Sequence, residues 1–277
     1  MNKSYKSKKT IKSFGEEWIR FDQSDIDRQE LEAITDRYFN IFPKKYLNKN
    51  NIGFDLGCGS GRFALYVADK VKVLHCIEPS KAIEISKKNL SNFNNCIFHS
   101  VSVEDLKLED ESMDFGFSLG VLHHTSNPLN GLKQCNRILK KDCPFLLYLY
   151  YSFENKPLLF KFLWKISNYL RLFISTMPKS VKFVITEIIA LIIYYPLARL
   201  AKLLENVFNL NVENIPLSAY RNLSYYTMRT DSLDRFGTRI EKRFSKKEIE
   251  KMMLDAGFKN IKFSDRIPYW VAVGYKK

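Results

Sequence analysis

Short apolar runs alternate with amphipathic segments through the first 150 residues of the chain. Five runs have the length and apolar content of buried strands, and helical patterns separate them. The predicted strands are Ile52–Leu56, Val71–Ile77, Cys96–Val101, Met113–Gly120 and Phe145–Tyr150, and the predicted helices are Ile26–Tyr46, Arg62–Asp69, Ser80–Phe93 and one that opens at Asn127-Pro128. Strands and helices that alternate at this pitch indicate a parallel α/β sheet with right-handed crossovers.

The pattern changes after Tyr151, where long apolar, aromatic and basic stretches begin. The α/β pattern resumes with a helix over Ser245–Ala256, which opens on a capping box of Ser245 and Glu248, and two short strands follow it. The predicted domains are an N-terminal arm and helix (1–48), an α/β core (49–151), a helical insertion or lid after the fifth strand (152–243), and a C-terminal helix and β-hairpin that complete the core (244–277).

Composition narrows the class of protein without deciding its function. The chain has 277 residues, of which 45% are apolar and 27% charged, so disordered and fibrous classes are excluded. Its net charge of +14 favours an anionic partner, whether a lipid surface, a nucleic acid or a charged metabolite. The five dispersed cysteines form no CxxC pair, and no apolar run of signal length follows the lysine-rich first dozen residues. We therefore expect a frayed N-terminal arm, reduced thiols and a cytoplasmic protein.

A glycine-rich loop joins the first predicted strand to the helix after it. Glycines at positions 57, 59 and 61 let the backbone turn tightly and let a ligand approach the main chain. A dinucleotide-binding loop has its third glycine one residue later, where this chain has Arg62, so the spacing argues against NAD and FAD.

This loop, from Phe54 to Gly61, resembles motif I of the class I S-adenosylmethionine (SAM)-dependent methyltransferases. Glu78 ends the second strand, where a carboxylate can accept hydrogen bonds from both ribose hydroxyls. Residues 102–106 resemble the loop that packs on the adenine in this family, with Ser102 in place of the commoner Asp. Residues 114–124 are similar to the fourth-strand motif of the branch that acts on small molecules and lipids, which includes the ubiquinone and menaquinone methyltransferases.

The resemblance implies a doubly wound, mostly parallel, Rossmann-like sheet of seven strands with an antiparallel last strand, and SAM as the cofactor. In the family the position of Asp55 supports the methionine end of SAM, and turn capping is the alternative. The residues that the resemblance assigns to SAM are Asp55, Gly57, Cys58, Gly59, Gly61, Glu78, Pro79, Val103, Glu104, Leu119 and Gly120. The segment from Phe14 to Phe21 either folds over SAM or anchors the core.

Two adjacent histidines, His123 and His124, are the candidate catalytic residues. Imidazole titrates near neutral pH, so His124 can act as a general base while His123 lines the pocket. The alternative is that both line the SAM pocket or cap the following helix. Two histidines without a third ligand do not predict a metal site.

The insertion has two interpretations that the sequence leaves open. Lysines and arginines alternate with aromatic and aliphatic residues between positions 156 and 182, which suits a helix lying in an anionic membrane interface. The same pattern suits helices that pack over the core or against a second subunit. Its longest uncharged run, Ile188–Ala198, has 11 residues and is shorter than the ~20 that span a bilayer.

A polar, aromatic and arginine-rich stretch near the end of the insertion predicts a pocket for a hydroxylated or anionic substrate, because arginine binds carboxylate and phosphate bidentately. A solvated, salt-bridged linker is the alternative. The candidate substrate residues are Tyr150, Tyr220, Arg221, Tyr225, Arg229, Arg235, Arg239 and Trp270.

The sequence thus predicts a SAM-dependent methyltransferase that transfers the methyl group by direct SN2 displacement to a small molecule. A sugar of a glycan pathway and a polyprenyl- or lipid-linked acceptor are the leading substrate classes. A nucleic-acid methyltransferase is one alternative, although the Asn/Asp-Pro-Pro-aromatic motif of base-methylating enzymes is replaced here by residues 120–123. A membrane-associated scaffold that has lost catalysis is the other.

Overall fold

The computed structural model describes residues 3–277, with side chains described from residue 11 onwards. Contacts within the chain define two compact units. The first consists of the residues up to Gln23 together with Leu31–Ser152 and Ile240–Lys277, and the second consists of Ser24–Glu30 and Phe153–Arg239.

The first unit contains a seven-stranded sheet in the order β3-β2-β1-β4-β5-β7-β6. The first five strands pair in parallel, and β7 runs antiparallel to both of its neighbours. The strands are β1 (Ile52–Leu56), β2 (Val73–Ile77), β3 (Cys96–His99), β4 (Phe115–Leu119), β5 (Pro144–Tyr148), β6 (Phe258–Phe263) and β7 (Ala272–Lys276). The predicted doubly wound sheet with an antiparallel last strand is confirmed.

Five helices precede or alternate with the first five strands. They are α1 (Lys3–Arg20), α2 (Arg28–Phe39), α3 (Arg62–Ala68), α4 (Ala82–Asn89) and α5 (Pro128–Ile138). The start of α5 is as predicted, since the Asn127 side chain accepts a hydrogen bond from the Asn130 amide and Pro128 occupies the first turn. The predicted frayed arm is wrong, because α1 begins at Lys3 and continues into the residues that contact the core.

The second unit is helical. Its helices are α6 (Leu158–Ile174), α7 (Lys179–Ile189), a π-helical segment (Ala190–Tyr194), α8 (Tyr195–Phe208) and α9 (Tyr225–Gly237). From α7 to α8 the helix is continuous over 30 residues, and among the described residues it is the one helix long and apolar enough to cross a membrane by length and composition. Pro196 does not end it, since proline is tolerated in the first turn that follows the π-helical segment.

The chain re-enters the first unit at Ile240, and α10 (Lys246–Asp255) follows. The predicted capping box is present, because the Ser245 hydroxyl accepts from the Glu248 amide and the Glu248 carboxylate accepts from the Ser245 amide. Gly257 then takes a φ of 95°, which ends the helix and leads into β6.

The centre of the sheet is packed by glycines against phenylalanines on neighbouring strands. Gly53 of β1 pairs with Phe115 of β4, and Phe54 of β1 pairs with Gly116 of β4. A Cβ at either glycine would lie 2.1 Å from the facing ring. Because successive residues of a strand point to opposite faces, one ring fills each side of the sheet at this position.

Gly53→Ala is expected to lower the free energy of unfolding by about 1–3 kcal/mol, because the new methyl group overlaps the buried Phe115 ring. Gly237→Ala is the control, since its Cβ would meet the flexible end of Leu233 at 3.1 Å near a helix terminus. Chemical denaturation of both variants measures the difference. Equal stability of the two variants would contradict the close packing of β1 on β4.

Candidate functional site

The loop after β1 is built from three glycines with positive φ. The φ angles are 77° at Gly57, 55° at Gly59 and 82° at Gly61, a region that side chains other than glycine rarely adopt. A Cβ at Gly57 would lie 2.4 Å from Val121, and one at Gly59 would lie 2.9 Å from the indole nitrogen of Trp18. The loop therefore has neither the backbone freedom nor the space for larger residues.

Glu78 holds this loop from the end of β2. Its two carboxylate oxygens accept hydrogen bonds from the Gly59 amide at 3.3 Å and from the Ser80 amide at 2.9 Å. The side chain is buried, and burial raises the pKa of its carboxyl while the hydrogen bonds from Ser80 and Gly59 oppose that rise. A buried carboxylate thus stands beside the glycine loop with its oxygens fixed.

Asp55 is a second buried carboxyl, one residue before the end of β1. Its Oδ2 atom has no hydrogen-bond partner among the described residues. Burial raises the pKa of Asp55 well above its usual range, the nearby Glu78 raises it further, and Arg62 opposes the effect. A buried acid of this kind is stabilised by a ligand that brings a positive charge or a hydrogen-bond donor.

The remaining residues predicted to hold SAM lie around the same strand ends. Leu119 ends β4, and Gly120 follows it with a φ of 78° and no heavy atom within 4 Å of the position of a Cβ. Val103 is buried in a short 3-10 helix over residues 103–105, whereas Glu104 is exposed. Cys58 is buried, and its thiol lies 3.6 Å from the Ser86 hydroxyl. Pro79 directly follows Glu78, on the same loop.

These positions converge because β1 lies between β2 and β4 in the sheet. The chain leaves β1 toward β2 on one side and reaches β4 on the other, which is the switch point at which open parallel sheets bind their ligands. The carboxyl ends of three neighbouring strands supply the glycine loop, the Glu78 carboxylate and the open Gly120 turn.

The helix α1 covers part of this region. A Cβ at Gly15 would lie 3.3 Å from Ser80, and the Trp18 indole lies over the glycine loop at Gly59. The Arg62 guanidinium lies 5.3 Å from the Trp18 ring, and Phe14 lies 4.7 Å from the His124 ring. The segment predicted either to fold over the cofactor or to anchor the core is thus in contact with the loop itself.

His123 is a buried, neutral imidazole. Its ring stacks on Tyr150 with 3.9 Å between centroids, and neither ring nitrogen has a hydrogen-bond partner among the described residues. Burial lowers the pKa of His123 well below its usual range, and the nearby His124 and Arg243 lower it further. It therefore lines the site as an uncharged polar ring.

His124 has a defined tautomer. Its Nδ1 atom lies 2.6 Å from the backbone carbonyl oxygen of Ile240. Because a carbonyl only accepts hydrogen bonds, Nδ1 carries a proton, and in the neutral imidazole the lone pair is therefore on Nε2. An imidazole held in this way is oriented to accept a proton at Nε2.

Arg243 is a residue that the sequence analysis did not single out. Its guanidinium lies 5.1 Å from the Tyr150 ring and forms an ion pair of 2.9 Å with Glu241. Tyr150 follows β5, so it contacts Arg243 across more than 90 positions of sequence, and no local pattern marks the pair. Trp270, on the loop before β7, lies instead beside Tyr269 and Lys246.

The other predicted substrate residues lie in the second unit, where they bond to neighbours of that unit. Arg221 pairs with Glu205 through two nitrogens at 2.6 and 2.8 Å. The further contacts are Tyr220 with Asp231, Tyr225 and Arg229 with Glu187, Arg235 with Ser167 and Trp164, and Arg239 with the Ser175 carbonyl. These side chains bond to one another's neighbours within the helical unit, and their role in binding a substrate stays a prediction.

The model of a family described as "methyltransferase domain" matches residues 54–147, which contain the glycine loop, Glu78 and both histidines. The chain contains a class I, SAM-dependent methyltransferase domain. The predicted family and the predicted cofactor are confirmed, and the two buried carboxyls fit SAM, which offers a charged amino group and ribose hydroxyl donors.

Two curated relatives match part of the chain. A probable cobalt-precorrin-6B C(15)-methyltransferase of Methanocaldococcus jannaschii is 35% identical over 99 residues, 34% of this chain and 51% of that protein. A tRNA U34 carboxymethyltransferase of Sulfurimonas denitrificans is 27% identical over 116 residues, 41% of this chain and 39% of that protein. The chain therefore spans about half or less of the length of these relatives.

A solved structure extends the likeness in fold to nearly the whole chain. The putative O-methyltransferase of Nostoc punctiforme PCC 73102 superposes with a TM-score of 0.52 at 14% identity, over 94% of this chain and 60% of that one. At this identity the likeness shows the fold and nothing about the substrate.

Asp55→Asn is expected to stabilise the protein without ligand and to weaken the binding of S-adenosylhomocysteine (SAH), the product of methyl transfer. Because the pKa of Asp55 is raised on folding, the folded state keeps the proton to a higher pH, and the free energy of unfolding falls as pH rises through that range. Removing the acid should restore roughly 1–3 kcal/mol above that range.

Thermal unfolding followed from acidic pH, near the ordinary range of a carboxyl group, up to alkaline pH measures the effect, and calorimetric titration with SAH measures the affinity. Asp69→Asn, at an exposed position, is the matched control and should change neither quantity. An Asp55→Asn variant that is less stable than the parent at every pH would show that the carboxyl is not a source of electrostatic strain.

Proposed function

We propose that the protein is a SAM-dependent methyltransferase that acts on a small-molecule acceptor. A sugar of a glycan pathway and a polyprenyl- or lipid-linked molecule are the two acceptor classes that we favour. The observation behind the proposal is the pair of buried carboxyls, Asp55 and Glu78, beside a glycine loop that excludes side chains. The likeness to the quinone-type branch stays a prediction.

The residues of the loop would hold the cofactor. Glu78 accepts hydrogen bonds from ribose hydroxyls, Asp55 balances the positive charge of the methionine end, and the open backbone at Gly120 leaves room beside β4. SAM supplies a methyl group that is already activated by its sulfonium, so the chain mainly has to align the acceptor and exclude water. Helix α1, whose Trp18 lies over Gly59, helps to exclude water from the glycine loop.

His124 is the group that we assign to proton transfer. Its Nδ1–H is bonded to the Ile240 carbonyl, so Nε2 can accept the proton that an acceptor hydroxyl or amine loses as its oxygen or nitrogen takes the methyl group. His123, which burial keeps neutral, forms the wall of the site with Tyr150.

A nucleic-acid acceptor is the second candidate. The net charge of +14 and the likeness to a tRNA-modifying enzyme over the domain favour it. Against it, the residues after β4 are Gly120-Val121-Leu122-His123 and not the motif of base-methylating enzymes. We also propose a cytoplasmic location, with the protein at the inner face of the membrane, which five dispersed cysteines without a CxxC pair support.

Calorimetric titration with SAH tests the cofactor site. Wild-type protein should bind at one site, and Glu78→Ala should lose roughly 1.5–3 kcal/mol of binding free energy with the charged acceptor. Glu84→Ala removes an exposed glutamate paired with Lys87 and should bind as the wild type does. A folded wild type that does not bind SAH would favour a non-catalytic scaffold.

Transfer of a tritium-labelled methyl group from SAM to cell extract identifies the acceptor class. Label should enter the organic phase or the water-soluble small molecules, and His124→Asn should reduce it by roughly 10²-fold while SAH affinity is kept. Label confined to nucleic acid would support the second candidate and overturn the first. Undiminished transfer by His124→Asn would remove that residue from the chemistry.

A further inference from the structure

The second unit exposes an unusual amount of apolar surface. Of the 24 large apolar side chains that are exposed among the described residues, 21 lie between positions 158 and 210, on α6, on the continuous helix from α7 to α8 and just after it. We call the exposed side chains of these helices the outer face. Soluble monomers rarely concentrate so many exposed apolar side chains on a few helices, and large exposed apolar surfaces mark a contact with a protein or a membrane.

The outer face has no exposed charge over most of the long helix. Between Lys179 and Lys202 the exposed side chains are apolar apart from Ser180 and the hydroxyl of Tyr195. At about 1.5 Å per residue this stretch is roughly 35 Å long. Only 22% of the most apolar part of the helix is buried within the protein.

The charged residues of the same helices are bonded on the inner side. Glu187 pairs with Arg229 of α9 at 2.6 Å. Arg199 donates to the carbonyls of Arg221 and Leu223 at 2.8 and 3.0 Å. An apolar environment on the outer side would therefore leave these charges paired, whereas an unpaired charge would oppose transfer out of water.

The helix α6 also carries a charged residue that is bonded on its inner side. Arg171 is buried, and its guanidinium donates to the Thr238 carbonyl at 2.8 Å and to Asn168 at 2.8 Å. The helices α6 and α7–α8 thus share one arrangement, in which buried or half-buried charges bond to other residues of the second unit while the exposed side chains are mainly apolar.

The exposed charged residues on the helices α6, α7 and α8 are basic. Lys165, Lys179 and Lys202 are exposed, and between positions 153 and 208 eight lysines and arginines stand against three acidic residues. Two copies of this face would bring like charges together, which disfavours a homodimer. Anionic lipid headgroups complement the lysines, and acyl chains complement the aliphatic face.

We propose that the outer face of α6 and α7–α8 lies in one leaflet of a membrane that contains anionic lipids. The inner side of the same helices packs on α9 through an apolar cluster that also holds bonded charges such as Glu187 and Arg171. These charges would have to enter the bilayer if the helices crossed it, so the helices lie along the interface. The proposal is independent of the methyl-transfer reaction, since it rests on residues of the second unit alone.

Flotation with vesicles tests the proposal on the full chain. The vesicles contain phosphatidylcholine with about a quarter phosphatidylglycerol, a surface that attracts lysines. Val184→Glu with Ile192→Glu places two carboxylates at outer-face positions that are 60% and 62% exposed. We expect the wild type to float and the double variant to bind at least roughly tenfold less.

Ile97→Glu with Leu254→Glu is the matched control, because these apolar residues are also exposed but lie in the first unit. The control should float as the wild type does. Equal flotation of the two double variants would overturn the proposal, and so would a wild type that stays with the soluble fraction. A wild-type dimer in solution that the Val184→Glu, Ile192→Glu change dissociates would assign the face to a second copy instead.

A second measurement avoids any charge placed on the helix. Ile192→Trp adds a fluorophore at an exposed outer-face position, and lipids brominated on their acyl chains should quench its emission. Leu254→Trp, in α10, should be quenched no more than the three native tryptophans are. Absence of additional quenching in Ile192→Trp would overturn insertion into the leaflet.

Discussion

The interlocked packing of β1 on β4 is the constraint from which the site follows. Gly53 faces the Phe115 ring and Gly116 faces the Phe54 ring, so these two strands are held at the centre of the sheet with one ring on either side. With β2 on the other edge of β1, the ends of three neighbouring strands stand next to each other. The glycine loop, the carboxylate of Glu78 and the turn after β4 are neighbours for this reason, although they are separated along the chain.

The site is assembled at an electrostatic cost to the folded protein without ligand. Burial raises the pKa of both Asp55 and Glu78, and Glu78 raises that of Asp55 further. The amides of Gly59 and Ser80 offset part of the rise at Glu78. A ligand with positive charge and hydroxyl donors reverses the balance, because it replaces the solvation that burial removed. Affinity for a cationic cofactor and instability of the unliganded pocket therefore have the same physical origin.

The sequence predicted what local pattern and spacing determine. The five parallel strands, the helix capped by Asn127 and the capping box at Ser245 follow from periodicity and from side chains that bond within one turn. Helix α1 was missed because its lysine-rich start has no apolar period, and its contacts come from Trp18 at the far end. The contact between Arg243 and Tyr150 was also not predicted, because it depends on where the chain re-enters the first unit after the insertion.

The protonated nitrogen of His124 is set by a residue at a boundary between the two units along the chain. The carbonyl that fixes its Nδ1 proton belongs to Ile240, the first residue of the chain after the second unit ends at Arg239. A displacement of that residue by an ångström would break the bond and release the ring to rotate or to exchange tautomers. The bond to this carbonyl therefore decides which nitrogen of the His124 ring faces the site with a lone pair when the imidazole is neutral.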